Sequence, residues 1–426
     1  MANPDDEVAI YQFPLEIFHS IFDYLVSEDR YQLEAGTSEK PIVSFTISQV
    51  SQRWRDIALE LPFIWTNIRI FHFRDSQRAM VKKLLVRTKG LPLSITLEYN
   101  KPLTAAQKKN CWDILLEIMS CASRWEVLRI AVNEDLFTQI CGNFGGRQAP
   151  ILQRLELIIL GSDKRPHRRM SPFIVSPLYL ELSHTHLLRH LVLFGVRLRM
   201  PSPTYMEKLE VLSLDYTPGM DMLDRPSLPA ESPPLQTRLR DLSLDGMVFR
   251  NLPTRSYLSE YTAFLTTLSL SNMFGHLSAD VTSLFKHLPT ITLREFSLLN
   301  VDFAFWNGFL NSMVGPDPRY PAVEKLCLQN IEEYSVQITQ LPLTDFIQGF
   351  PKLEILDLYN VLHITNSLKR CAIFPCIHTL RVRGVQGASY KDLCEVDTPP
   401  FLDLSSLPWL QRKVPNFKRN PMDKAY

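Results

Sequence analysis

A short apolar phrase recurs along most of this chain, and its recurrence restricts the possible folds more than any other feature. The phrase reads apolar-x-x-Leu-x-Leu, and its copies lie 21 to 36 residues apart. Their central residues are Leu128, Leu155, Leu191, Leu212, Leu242, Leu268, Phe296, Leu326, Leu356 and Leu380. A mean spacing of about 28 residues indicates a stacked array, in which each unit buries a face that it could not bury alone.

The phrase carries a polar tail in several copies. An asparagine stands four residues after the central residue at Asn272, Asn300, Asn330 and Asn360, and a glycine takes that place at Gly195, Gly246 and Gly384. Because a strand alternates its faces, the leucines and the asparagine would point inward. We expect this asparagine to bond backbone groups where the chain leaves the strand, whereas glycine accepts unusual backbone angles there.

Two amphipathic helical patterns and a tryptophan-bearing turn occupy residues 13–66. The first pattern places one apolar face at Leu15, Phe18, Ile21, Phe22 and Leu25, with Pro14 at the first helical position. The second places an apolar stripe at Ile47, Val50, Trp54, Ile57, Ala58 and Leu61. Pro62 ends this second predicted helix, and the whole segment is typical of a compact docking module.

This N-terminal segment resembles an F-box. The matching residues are Pro14, Glu16, Ile17, Ile21, Phe22, Leu25, Val50, Trp54, Arg55, Ile57, Pro62 and Trp65. Two positions depart from the family pattern, since Phe13 stands where leucine is usual and Ser51 where cysteine is usual.

The repeated phrase resembles the leucine-rich repeat, although the asparagine comes one residue early and the spacing is uneven. The two resemblances imply an α+β or α/β solenoid: an all-helical F-box, then an irregular horseshoe with a parallel sheet on its concave face. The implied organisation is a disordered N-terminus (1–12), the F-box (13–66), the solenoid (67–400) and a C-terminal cap or tail (401–426).

Composition excludes several classes of function. The chain has 426 residues, more than one compact core usually holds, and a formal net charge of only +1, which gives no general attraction to nucleic acid or an anionic membrane. The acidic N-terminus lacks the features of a secretory signal, and no apolar run reaches the ~18 residues of a membrane span. We therefore expect an intracellular protein, cytoplasmic, nuclear or both, with no nucleic-acid or membrane partner.

Two clusters offer other chemistry. His184, His186 and His190 resemble a metal site, but no carboxylate or cysteine completes the ligand set. The basic run 164–169 is either a solvated loop or a signal for nuclear import or an acidic partner. We predict no metal and no cofactor.

The resemblances together imply a non-catalytic substrate-recognition subunit of an SCF-type cullin ubiquitin ligase, acting in ubiquitin-dependent degradation. By that analogy the Skp adaptor, and through it a cullin, is bound by Pro14, Leu15, Ile17, Ile21, Leu25, Val50 and Trp54. Outward strand positions would bind an unknown protein target through Asp215, Asp241, Asp245, Tyr359, Arg381 and Arg383. The acidic positions suit a basic segment, and tyrosine and arginine are enriched at binding hot spots.

Two other functions stay open on the sequence. The chain could be a scaffold that binds the Skp adaptor without a cullin, acting in assembly or localisation. A hydrolase or metal enzyme that uses the histidine cluster is the third class, and stoichiometric zinc or iron in the purified protein would favour it.

Overall fold

The computed structural model describes residues 13–34, 43–99, 101, 103–133, 136–137, 140, 148–160, 185–194, 208–215, 238–246, 248–249, 262–275, 278–288, 291–313, 319–331, 349–359 and 379–383. The chain divides into two compact units, and the described residues up to Leu188 belong to the first, those from Arg189 onward to the second.

Among its described residues, the first unit joins five helices to a four-stranded parallel sheet. The helices are α1 (Leu15–Glu34), α2 (Val43–Val50), α3 (Gln52–Glu60), α4 (Asp75–Arg87) and α5 (Ala105–Ser120). The strands are β1 (Asn67–Ile70), β2 (Leu93–Tyr99), β3 (Trp125–Val132) and β4 (Arg154–Ile159), paired in that order. Short 3-10 turns at Pro62–Trp65 and Ala122–Arg124 precede β1 and β3.

The second helical pattern forms two helices, so the prediction of one continuous helix to Leu61 is wrong. Ser51 interrupts it with an extended backbone, φ −157° and ψ 170°. Its Oγ accepts a hydrogen bond from the backbone N–H of Trp54 at 3.2 Å and thereby caps α3. A serine that satisfies a free N–H at a helix start is a favourable N-cap, which explains why the chain restarts a helix here.

Two buried tryptophans secure the passage from helix to strand. The indole Nε1 of Trp65 donates to the carbonyl of Ala58 in α3 at 2.8 Å, and that of Trp125 donates to Ile118 in α5 at 3.2 Å. Each indole lies seven residues beyond its acceptor. The same carbonyls accept the backbone N–H groups of Leu61 at 3.4 Å and Cys121 at 3.0 Å. Each indole therefore adds a second bond at the last turn of a helix while its ring fills the core.

The sheet begins two strands earlier than the repeated phrase indicates. Ile68 of β1 is in register with Ile95 of β2, which is in register with Leu128 of β3. Both isoleucines are fully buried. These two strands fall outside the series of repeated phrases because each has isoleucine at the centre, where nine of the ten copies have leucine.

A buried ionic network ties α1 to β1. Arg69 Nη2 lies 2.5 Å from Asp29 Oδ1, and Asn67 Nδ2 donates to Asp29 Oδ2 at 2.8 Å. The side chains of Arg69 and Asp29 are only 1% and 6% exposed. A buried ion pair thus connects α1 to the first strand of the sheet. Loss of either member would leave the other charge buried and unpaired, which is energetically costly.

The described part of the second unit is built on eight parallel strands. In spatial order they are β5 (His190–Phe194), β6 (Val211–Asp215), β7 (Asp241–Asp245), β9 (Thr267–Ser271), β11 (Glu295–Leu299), β12 (Lys325–Gln329), β13 (Ile355–Tyr359) and β14 (Thr379–Arg383). Strands β8 (Val248–Phe249) and β10 (Phe274–Gly275) form a separate parallel pair. The helices that the structure describes in this unit are α6 (Ser278–His287) and α7 (Phe303–Ser312). Each unit is therefore an α/β arrangement on a parallel sheet.

Leucines of these strands fill the interior, as the phrase predicts. In β7, Leu242 and Leu244 are buried, whereas Asp241, Ser243 and Asp245 are half-buried. An aromatic cluster covers the sheet around α6 and α7. Its ring centroids are 4.9 Å apart for Phe285 and Phe309, 5.5 Å for Phe296 and Phe309, and 5.2 Å for Tyr320 and Phe350. Burial raises the pKa of the Tyr320 hydroxyl above its usual range.

The asparagines of the tail form a ladder of side-chain hydrogen bonds that the sequence did not predict. Asn272, Asn300 and Asn330 adopt left-handed backbone angles, with φ of 49°, 51° and 47°, and Gly246 does the same at 66°. Their side chains bond one another: Asn330 Nδ2 donates to Asn300 Oδ1 at 2.6 Å, and Asn300 Nδ2 to Asn272 Oδ1 at 3.1 Å. Asn272 Nδ2 then donates to Asp245 Oδ1 at 2.5 Å.

The left-handed backbone explains why this position of the phrase is occupied by either asparagine or glycine. Both residues accept a left-handed backbone more readily than other residues do. Glycine supplies no side chain at Gly246, so the neighbouring Asp245 provides the acceptor that ends the ladder. Asn360, Gly195 and Gly384 lie outside the described residues.

Candidate protein-docking surfaces

Helix α1 divides its apolar residues between two faces. Phe18 and Phe22 are 1% and 0% exposed and, together with Val26, form the buried face. The single apolar face predicted for this helix is therefore not buried as one surface, because Leu15 and Ile21 are 45% and 36% exposed. The helix begins at Leu15, one residue after the predicted Pro14.

Trp54 of α3 completes the buried side of these helices. Its ring lies 5.6 Å from Phe18, edge to face, and 5.1 Å from Phe22. Trp54 is half-buried, and its buried indole Nε1 has no hydrogen-bond partner among the described residues. Much of the ring is thus committed to packing within the chain, although the sequence placed this residue among those that bind the adaptor.

Most of the other residues predicted to bind the adaptor are exposed. The exposed fractions are 45% for Leu15, 44% for Ile17, 36% for Ile21 and 58% for Val50. Pro14 is exposed as well, and Leu25 is half-buried. Ile17 and Ile21 are four residues apart on one helix, so their side chains are neighbours.

Two further residues shape this surface and were not predicted. Tyr24, one turn beyond Ile21, is 69% exposed. Arg53 donates from Nη2 to the carbonyl of Phe13 at 2.9 Å, and its guanidinium lies 5.1 Å from the centre of the Phe18 ring. These contacts hold the start of α1 against α3 and so fix the position of the exposed apolar residues.

The predicted target-binding residues lie on the strands of the second unit. Asp241 and Asp245 are half-buried on β7, and Asp245 is engaged by Asn272. Tyr359 on β13 is 42% exposed.

The other three predicted target-binding residues are placed by their backbone alone. Asp215 ends β6, and Arg381 and Arg383 lie on β14, but their side chains fall outside the described part of the chain. Backbone register sets Asp215 opposite Asp245, and Arg383 opposite Tyr359.

A column of serines crosses the middle of the same face. Ser213, Ser243, Ser269 and Ser297 are in register on four neighbouring strands. All four are half-buried, as outward strand positions are in a sheet with one exposed face.

The histidine cluster cannot be assembled from the described residues, since His184 lies outside them. Within the ranges given above, no group of three or more histidine, cysteine, aspartate or glutamate side chains is arranged to hold a metal ion. None of the helices in the described part of the chain combines the length and apolar character that crossing a bilayer requires.

Comparison with known proteins adds no assignment. No protein-family model matches the chain, and no curated protein matches it.

Proposed function

We propose that this protein is a substrate-recognition subunit of an SCF-type cullin ubiquitin ligase. Its N-terminal helices would bind the Skp adaptor, and an irregular leucine-rich-repeat solenoid would hold a protein target on its strand face. The protein itself would carry out no chemistry, because its contribution is to hold the target close to the ubiquitin-transfer machinery.

The observation that carries this proposal is the exposure of Ile17 and Ile21 on a helix whose buried face is already complete. Phe18 and Phe22 pack on Trp54, so α1 has no internal need for apolar residues on its other side. Fully burying such a side chain is worth about 1.5–3 kcal/mol. Because these side chains are 44% and 36% exposed, a partner that covers them would gain roughly 1 kcal/mol from each.

The geometry refines which residues are suitable for a test. A substitution of Trp54 would damage the packing within the chain and would confuse lost binding with lost folding. Ile17→Asp combined with Ile21→Asp changes exposed positions alone. Val86→Asp on α4 is a matched control, because Val86 is 77% exposed and lies outside the proposed docking surface.

The experiment is co-purification with the Skp adaptor and a cullin. The unaltered chain and the Val86→Asp variant are expected to recover both proteins, whereas the double variant recovers neither. Each aspartate places a charge against the apolar partner surface, so the affinity for the adaptor should fall at least about 100-fold. Unchanged circular dichroism would show that the variants are folded.

Two other outcomes have definite meanings. Recovery of the adaptor without a cullin by the unaltered chain would support the scaffold function in place of the ligase receptor. Failure of the unaltered chain to recover the adaptor would refute the proposal for the N-terminal helices.

A further inference from the structure

The turns that lead into three strands of the second unit carry a basic and apolar surface. We call it the arginine patch and define it by Arg238 and Arg240 before β7, Phe264 before β9, and Ile291 and Arg294 before β11. All five side chains are exposed, and the fractions reach 57% for Phe264 and 79% for Ile291. Arginine together with large apolar side chains is a composition enriched at protein interaction surfaces.

Hydrogen bonds between the turns make the patch continuous. The backbone N–H of Thr266 donates to the carbonyl of Arg240 at 2.8 Å. The backbone N–H of Arg294 donates to the carbonyl of Thr266, also at 2.8 Å. The Thr292 hydroxyl donates to the carbonyl of Leu265 at 2.9 Å. The three turns therefore lie side by side at strand spacing, and the patch spans about 10 Å.

The patch carries an excess of positive charge. Arg238 and Arg240 form no ion pair with any described carboxylate. Arg294 lies 3.6 Å from Glu324, but both side chains are largely exposed, at 66% and 45%, so this pair is weak. Glu210, on the turn before β6, pairs with an arginine outside the patch.

We propose that the arginine patch binds a short acidic segment of a partner protein that also carries one large apolar side chain. Carboxylates would accept paired hydrogen bonds from the guanidinium groups, and the apolar side chain would cover Phe264 and Ile291. At about 3.3 Å per extended residue, a patch of this width contacts about three to five residues of the segment. The site is separate from the proposed adaptor-docking helices and does not depend on them.

The borders of the patch favour a narrow segment over an anionic bilayer. The turn of Glu210 is bonded to that of Arg240 on one side, through Arg240 N–H to the Glu210 carbonyl at 2.9 Å. The turn of Glu324 is bonded to that of Arg294 on the other side, at 2.8 Å. A flat anionic membrane would meet both carboxylates together with the arginines, whereas a short peptide can avoid them.

The test is selection of peptides from a random displayed dodecapeptide library on the full-length chain. Enriched peptides are expected to have net negative charge and an aromatic or large aliphatic residue. Synthetic copies, measured by fluorescence anisotropy, should bind at least 10-fold more weakly to the Arg238→Glu, Arg240→Glu double variant and to Phe264→Ser. Lys352→Glu is the matched control, because this exposed lysine precedes β13 outside the patch and should leave binding unchanged.

Several results would overturn the inference. These are the absence of enrichment, enrichment of peptides without acidic residues, or binding that is insensitive to the arginine substitutions. Binding of phosphatidylserine vesicles, lost in the double variant, would assign the patch to a membrane. Arginine-dependent self-association in sedimentation would assign it to a second copy of the chain. The Ile17→Asp, Ile21→Asp variant should bind selected peptides normally, so failure of the proposed function would be distinguishable.

Discussion

Replacing Asp29 by alanine is expected to destabilise the first unit strongly. The carboxylate of Asp29 serves two buried partners, with one oxygen 2.5 Å from Arg69 and the other 2.8 Å from Asn67. Only 1% of the Arg69 side chain is exposed, so water cannot replace the lost carboxylate. Breaking one member of a buried ion pair costs about 3–5 kcal/mol, because the remaining charge stays buried.

The cost can be measured by urea unfolding and by hydrogen exchange. With a urea dependence of about 1–3 kcal/mol per molar, the unfolding midpoint of the first unit should fall by at least about 1 M. Amides of β1 should exchange faster in Asp29→Ala, because this strand is held to α1 by the network. Amides of β12 belong to the second unit and provide an internal reference.

A second variant separates lost charge compensation from lost packing. Asp29→Leu combined with Arg69→Met removes both charges and keeps apolar volume, so it should lose less stability than Asp29→Ala. The loss that remains, about 1–3 kcal/mol, is expected from the buried Asn67 amide, which no longer has its acceptor. An Asp29→Ala protein that unfolds at the original urea concentration, with unchanged β1 exchange, would refute this reasoning. Equal destabilisation of both variants would show that packing and not charge dominates.

Three further outcomes are expected. In urea unfolding, Asn300→Ala should destabilise the second unit by about 1 kcal/mol more than Asn300→Gly does, because the backbone φ of 51° at this position disfavours alanine. Equal stability of the two variants would contradict the left-handed backbone. Burial raises the pKa of the Cys111 thiol to about 12, so at pH 8 this thiol should not react with iodoacetamide until urea unfolds the chain. Rapid labelling of Cys111 in the folded protein, detected by peptide mapping, would disprove its burial. Trp65→Phe removes the hydrogen bond to the Ala58 carbonyl and should lower the free energy of unfolding, measured by thermal unfolding, by about 1–3 kcal/mol. No change would show that this bond does not contribute to stability.

Two periodic features of the sequence determined the repeating part of the fold: the alternation of apolar residues within each strand and the spacing of about 28 residues between phrases. Alternation within each phrase decides that Leu242 and Leu244 face inward, and the recurring phrase brings Leu242 into register with Leu268 on the next strand of the sheet. These features are local or periodic, so they are visible without knowledge of which elements meet.

Only the tertiary structure decided which apolar residues are buried and which polar residues bond one another. Ile21 and Phe22 are adjacent and similarly apolar, but only Phe22 is buried, because Trp54 packs against that side of α1. The contact between Asp29 and Asn67 spans 38 residues and has no local signature. The asparagine ladder likewise requires neighbouring strands to stack in register before one amide can reach the next, so the sequence could mark its positions but not its bonds.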